Sequence, residues 1–579
     1  VPNQEDRMAV AEPDPGSTPD PGAAPGSGTV GPGTAGVARE ARPGRGRRVA
    51  SAALTGSAAL LVVFALLAPA DLDRFTAAAF LRIPVEGLLF ALLLLVLPPR
   101  ARGPVASLGG VLLGLLLVVK VADIGFDLVL YRPFDLVLDW PLLAPAVDYV
   151  DVTAGRFAAV AAVVGTVLLI GAVVLLTARS VLRLGRRAAA HRVGVTRALV
   201  AVAVLWVGFA APGVGFEPGV PVASRSAAAF VGDHARAVRV GLRDREAFAA
   251  EASTDAFRDV PADELLTSLR GKDVVLAFVE SYGRSAVEDP ALAPVVGAAL
   301  DDGTRRLAAA GYAARSAYLT SPTAGGGSWL AQATLLSGLW VDNQQRYRTL
   351  VSSDRLTLNG AFRRAGWRSV GVVPGITRAW PEGEFFRHHR IYAADDLGYR
   401  GPRFGYATMP DQYALSAFQE RERQPGHEPV VAVVPLLSSH APWTPLPTRL
   451  PWEDVGDGAV FADMAAGEEP PDAVFGRDPD VVRADYARSV AYAVDTVVSY
   501  VETYGDDDTV LVFLGDHQPA QVVTGEGASK DVPITVVTRD ASLLARTDPW
   551  GWTDGLTPAP DAPVRPMDAF RDQFLTAFR

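Results

Sequence analysis

The stretch DTVLVFLGDH, residues 508–517, is a β-branched apolar run that stops abruptly on an aspartate and a histidine. Its length and composition predict a buried strand. Four other runs have the same character: DVVLAFVE (273–280), WRSVGVVPG (367–375), PVVAVVPLLSSH (429–440) and VPITVVTRD (532–540). Amphipathic stretches such as 297–310 and 484–504 lie between them and predict helices. Strand and helix in alternation predict an α/β fold, a sheet covered by helices on both faces. Open sheets of this kind bind ligands beyond the carboxyl ends of their strands. The residues to examine are therefore Glu280, His440, Asp516 and His517, each of which closes a predicted strand.

The first part of the chain is of another kind. Residues 1–48 are rich in Pro, Gly, Ala and Ser and hold too little apolar surface to offset the entropy of ordering, so they read as a disordered tail. The chain begins with Val1 and has its first methionine at Met8, and no cleavable signal is recognisable. Hydrophobic residues make up 49% of the 579 residues, which pulls the chain away from ordinary soluble proteins. Five apolar segments account for this, at roughly 49–70, 76–99, 104–122, 157–178 and 198–216. Each has about the ~20 helical residues needed to cross a hydrocarbon core.

Arginines cluster before the first segment (Arg42 to Arg48), between the second and third (Arg100, Arg102) and between the fourth and fifth (Arg179 to Arg197). Those connections are expected to be cytoplasmic. An odd number of crossings then leaves everything after about residue 216 outside. The organisation expected is a tail (1–48), five membrane helices (49–216), a helical connector (217–270) and an extracytoplasmic α/β domain (271–579), with 447–482 as a surface excursion. Arg82 and Glu86 stand four apart in the second segment, which predicts an intrahelical ion pair near the interface or, alternatively, a handle for a lipid headgroup or for the outer domain. The outer loop YRPFDLVLDW (131–140) is open to the same two readings.

Composition narrows the chemistry. The chain has no cysteine, which excludes disulfides, thiolate metal sites and cysteine nucleophiles. A net charge of -10 without a basic stripe makes nucleic acid a poor partner. Two carboxylates and an imidazole at neighbouring strand ends, with a hydroxyl oxygen, suit a hard or borderline divalent ion such as Mn, Mg or Zn. Taken singly, a strand-end Asp is more often a turn cap and a strand-end Glu more often solvated. Only two of the seven histidines follow buried-looking strands, His440 and His517, where an unpaired imidazole is costly.

The hydroxyl has a candidate in TSPTAGGGSWLAQATLLSGL (320–339), where three glycines precede Ser328 at the start of an apolar, helix-like run. A glycine loop feeding a helix N-terminus offers backbone N–H groups to an anion. Ser328 is then a nucleophile activated by metal coordination, acting on a phosphoryl or sulfuryl group. The competing reading makes it a capping serine and nothing more.

VVLAFVES, GGGSWLAQATLLSGL, SSHAPW and FLGDHQP, in this order and on these elements, resemble the alkaline phosphatase and sulfatase superfamily. Within it they look most like the membrane-anchored branch typified by lipoteichoic acid synthase, a phosphoglycerol transferase with five membrane helices and an outward catalytic domain. The resemblance implies that Glu280, Asp516 and His517 are metal ligands and that Ser328 stands where the family has its threonine nucleophile. It implies that His440 contacts the transferred phosphate, and that Arg378 and Trp380, in GITRAWPEG (375–383), lie where the synthases hold the headgroup. Thr323 and Ser321, before the glycines, are alternative hydroxyls. SPTAG does not fit the Cys/Ser-x-Pro-x-Arg motif from which sulfatases make formylglycine, so sulfate ester hydrolysis by that route is not expected. The expected activity is metal-dependent phosphotransfer, with Mn first among metals, phosphatidylglycerol or a similar membrane lipid as donor and an envelope glycan or polymer as acceptor. The alternatives are a phosphodiester or monoester hydrolase and a non-catalytic envelope scaffold. A transporter is disfavoured because the spans show no internal repeat.

Overall fold

The computed structural model describes residues 45–211, 214–217, 220–465 and 477–579. Most of the expected tail and part of the expected surface excursion, residues 466–476, lie outside these. Residues up to Leu54 and residues from Thr55 onward form two compact units. Of the first, the described part is the opening of helix α1 (Arg45–Leu67).

The helices that follow are α2 (Val85–Val96), α3 (Pro99–Leu130), α4 (Leu143–Ala154), α5 (Arg156–Ala190), α6 (Arg192–Ala210) and α7 (Ser226–Ser253). Four of the described helices, α1, α3, α5 and α6, are long and apolar enough to cross a membrane. The expected count of five spans is not reproduced among the described residues. The second segment breaks at Arg82–Pro84 and continues as α2, whose 12 residues are too few for a full crossing.

The charges expected to pair within that segment go elsewhere. Arg82 donates to the carbonyls of Leu67 (2.8 Å) and Ala79 (2.7 Å), and Glu86 accepts the N–H of Ala228 (2.8 Å) near the start of α7. Lys120, buried in α3, donates to the carbonyls of Ala65, Leu66 and Ala68. Helix ends leave carbonyls without intrahelical partners, and cations are favoured there. These two side chains meet that need at the end of α1, and α3 accordingly runs past Lys120 to Leu130.

From residue 273 the chain alternates strand and helix. The strands are β1 (Asp273–Val279), β2 (Ala313–Thr320), β3 (Arg368–Val373), β4 (Arg390–Ala393), β5 (Val430–Leu436), β6 (Thr509–Gly515), β7 (Asp531–Thr538), β8 (Thr553–Asp554) and β9 (Val564–Pro566). They form one nine-stranded sheet in the order β8-β2-β7-β6-β1-β5-β3-β4, with β9 also pairing β2. The block β6-β1-β5-β3-β4 is parallel and β7 is antiparallel to both its neighbours. Alternate residues of β1 enter two separate cores: Val274, Leu276 and Phe278 pack on one face, Val275, Ala277 and Val279 on the other. Burial on both faces is why the central runs read as continuously apolar.

β1 and β6 pair in register, with Val279 opposite Gly515, so Glu280 and Asp516 emerge side by side. Gly515 is required there, because a Cβ would lie 1.8 Å from the carbonyl oxygen of Tyr282. Gly515→Ala is expected to lower stability by about 3 kcal/mol, the upper range for overpacking. Thermal unfolding of the detergent-solubilised chain would measure it, and an unchanged midpoint would mean the two strand ends are more loosely joined than described.

Candidate active site

Chain direction reverses sharply after β1, where Ser281 takes a positive φ of 57°. Its N–H then donates to Asp516 Oδ1 (2.8 Å), and the N–H of His517 donates to the same oxygen (2.7 Å). One carboxylate oxygen thus ties the ends of β1 and β6 together, leaving Oδ2 toward His517 Nε2 at 3.8 Å. Glu280 Oε1 accepts from Ser281 Oγ (3.1 Å) and lies 3.2 Å from His517 Nε2. Potential ligand atoms of Glu280, Asp516 and His517 all lie within 4.8 Å of one another, and all three residues are buried.

The imidazole tautomer follows from its other contact. His517 Nδ1 lies 2.8 Å from the carbonyl oxygen of Gln518, which can only accept, so Nδ1 carries a proton. Nε2 therefore faces the carboxylates either as a lone pair or as a second N–H. Burial pushes the Asp516 carboxyl up to about 7, and the charge of Glu280 adds to it. Burial would lower His517, but Asp516 and Glu280 outweigh it and raise the imidazole to about 9. Glu280 is pushed up by burial yet held below the usual carboxylate range by the hydrogen bond and charge of His517. All three shifts express one demand, a positive charge between the groups. A divalent ion meets it, since two carboxylate oxygens and an imidazole nitrogen with its far N–H fixed by a carbonyl form an ordinary donor set.

Ser328 completes the group. Gly325, Gly326 and Gly327 all have positive φ and lead into helix α8 (Ser328–Ser337). The N-cap position falls on Gly327 and no side chain caps the helix. Ser328 is therefore not the capping serine of the competing reading. Its Oγ donates to Glu280 Oε2 at 3.0 Å and lies 3.2 Å from His517 Nε2. The alternatives lie elsewhere: Ser321 is buried and donates to the carbonyl of Asp516 (2.6 Å), and Thr323 is buried with an unpartnered hydroxyl. The carbonyl of Gln518 also accepts the N–H of Gly325 (2.7 Å), so the same atom that orients His517 anchors the serine loop.

The other expected residues are distributed unevenly. His440 follows β5, its Nδ1 is 2.6 Å from the carbonyl of Ala441, and its ring stacks on Tyr406 at 4.0 Å. Arg378, beyond β3, pairs with Asp148 of α4. Trp380 packs on Phe386 (5.6 Å) and over Gly383, toward the core. The sequence reading missed Tyr406, which lies in an irregular stretch without periodic signal. It also missed Asp411, at the start of helix α9 (Asp411–Glu422), whose Oδ1 accepts the N–H groups of Leu437 (2.7 Å) and Ser438 (2.9 Å) and so shapes the turn that carries His440.

Residues 272–531 match the family model described as Sulfatase. No curated protein sequence matches the chain. Among solved structures it is similar to the lipoteichoic acid synthase LtaP from Listeria monocytogenes, at 14% identity over 51% of this chain and 71% of that chain, TM-score 0.33. It is similar to the phosphoglycerol transferase GacH of Streptococcus pyogenes at 12% identity over 58% and 90%, TM-score 0.33. It is also similar to the C-terminal periplasmic domain of EcEptC from Escherichia coli at 16% over 46% and 72%, TM-score 0.30. The matched residues include the buried site, since Glu280, Ser328, Asp516 and His517 all fall within 272–531.

Burial raises Asp411 to about 6 from an ordinary 3.8, and its Oδ2 has no hydrogen-bond partner. The stability it contributes in the protonated form is present below the ordinary value and is lost as pH rises through about 6. Asp411→Asn keeps an acceptor for the two N–H groups and does not titrate. It is expected to unfold at a higher temperature than wild type at about pH 7.5, by an amount on the order of 2 kcal/mol, and the gap should close toward pH 4.5. Melting curves across that range test it, a pH-independent gap being the contrary result.

Proposed function

We propose that the protein is a membrane phosphotransferase that takes a phosphoryl-linked headgroup from a lipid phosphodiester, phosphatidylglycerol being the donor we favour. The observation that carries this reading is the orientation of Ser328, whose Oγ leaves the helix start uncapped and is directed at Glu280 and His517. In this reading Ser328 Oγ attacks phosphorus, a Ser–O–P bond forms and the lipid alcohol departs. The covalent group then passes to an alcohol acceptor of an envelope glycan or polymer. The serine proton has an acceptor at hand in Glu280 Oε2. A divalent ion, Mn in preference to Mg or Zn, would be held by Glu280, Asp516 and His517 and would supply Lewis-acid charge at the phosphoryl oxygens.

The residues around it have complementary tasks. Backbone N–H groups at the start of α8 face the incoming anion with the positive end of the helix dipole behind them. His440 has Nδ1 engaged by the carbonyl of Ala441, so Nε2 is the atom left for a non-bridging oxygen of the substrate. Arg378, an exposed guanidinium beyond β3, supplies a second cation for the headgroup. We place the α/β domain on the extracytoplasmic side because Arg179 to Arg197 lie around the start of α6, the last candidate span before it, and favour the cytoplasm for that end.

Two measurements test this. Purified wild-type chain incubated with Mn and phosphatidylglycerol should gain a phosphoglycerol mass on the peptide containing Ser328. The adduct should be absent in Ser328→Ala and abolished by a chelator. With both proteins folded and metal bound, its absence would move the donor assignment to another headgroup. Separately, Glu280→Gln should weaken Mn binding by 10-fold or more in calorimetry, since it removes a charged ligand atom. Unchanged affinity would exclude Glu280 from the ion site.

A further inference from the structure

Helix α4 lies between two helices of spanning length, joined to α3 by the twelve residues 131–142 and separated from α5 by Gly155 alone. Such short connections hold it at the level of the bilayer surface. At about 100° per residue, Leu143 and Val147 share one side of it, while Asp148 and Tyr149 lie on the opposite side. Leu143 and Val147 are 43% and 38% exposed, and Trp140, just before the helix, is 57% exposed. An exposed apolar side with an adjacent Trp, continuous with membrane spans, is the pattern of a helix lying in the headgroup region.

The opposite side meets the catalytic domain. Tyr149 stacks on Tyr406 with ring centroids 6.1 Å apart, and Tyr406 stacks in turn on His440 at 4.0 Å. Asp148 pairs with Arg378. Two consecutive residues of one helix thus reach the two groups assigned to the substrate's phosphate and headgroup. The Asp148–Arg378 pair is largely exposed, with side chains 40% and 73% accessible, so it is weak enough for an arriving phosphodiester to displace.

We infer that α4 is the membrane-side wall of the active site, with Tyr149 as a positioning residue that holds the Tyr406–His440 stack for substrates arriving from the bilayer and Asp148 as the anion that a lipid phosphodiester displaces from Arg378. The inference rests on the lipid-transfer reading above. It makes selectivity for a bilayer-borne donor over a dissolved one a property of the membrane part of the chain.

The test uses the full chain in nanodiscs, with phosphatidylglycerol in the bilayer and bis(p-nitrophenyl) phosphate in water as the two substrates. Tyr149→Ala should reduce the ratio of lipid to soluble kcat/KM about 10-fold, and Tyr149→Phe, which keeps the ring, should restore it. A ratio that stays within about twofold of wild type, or equal loss on both substrates, would overturn the positioning role. Asp148→Asn should lower KM for the lipid without a matching change in kcat, and a raised KM would contradict the displacement. Because the chain has no cysteine, Val147→Cys can be labelled uniquely with a nitroxide. The label should be relaxed by oxygen dissolved in the bilayer more than by a water-soluble nickel chelate, and the reverse would remove α4 from the membrane surface. Should wild type process neither substrate, the lipid-transfer reading is what fails, and the label together with cross-linking of a Tyr149→Cys, Tyr406→Cys pair decides the wall by itself.

Discussion

Two buried carboxylates and an imidazole share one small space at the ends of adjacent parallel strands, and that arrangement holds only if positive charge sits among them. The backbone does much to enforce it. In-register pairing of β1 with β6 sets Glu280 beside Asp516, and the N–H groups of Ser281 and His517 converge on one oxygen of Asp516. A carboxylate fixed in this way cannot turn to solvent, so its charge must be balanced in place. The upward shifts of Asp516 and His517 are the protein's response with a proton, and an ion of higher charge answers the same need more strongly.

The serine loop is tied to this centre through a single carbonyl. Gln518 O accepts from His517 Nδ1 and from the N–H of Gly325, so the orientation of the imidazole and the placement of the loop are set together. The loop is reached from the other side by the membrane part of the chain. A Cβ on Gly325 would lie 1.4 Å from the carbonyl oxygen of Val129, near the end of α3. Tyr131, just beyond, donates to the carbonyl of Pro519 (2.9 Å), and Gln521 donates to that of Asp127 (3.0 Å). Of the readings left open for the loop at 131–140, the contact to the α/β domain is the one its first residue makes.

What was legible in the sequence was whatever burial writes into composition. The central strands are covered on both faces and appear as apolar runs, and polar residues at their carboxyl ends stand out by contrast. Edge strand β4 and the polar strand β2, with Arg315 and Ser316 in its middle, carry no such signal. The break in the second apolar segment was hidden because Arg82 and Glu86 are satisfied by backbone groups distant in sequence, Leu67 and Ala228, rather than by each other. Tyr406 and Asp411 act through contacts that only the folded chain creates, and sequence spacing has no means of indicating them. Ser328 was readable as a site candidate, but its two roles separated only once the N-cap was seen to be Gly327.

The approach of Val129 to Gly325 turns α3 into a gauge. An α-helix rises 1.5 Å and turns about 100° per residue, so one residue added to or taken from α3 would swing the Val129 carbonyl away from the loop that carries Ser328. The same helix is long and apolar enough to cross a bilayer, and the tilt of a spanning helix answers to hydrocarbon thickness. The loop that holds Ser328 therefore shares a contact with a helix of membrane-spanning length, and any change in the tilt of that helix has to be taken up where Val129 meets Gly325.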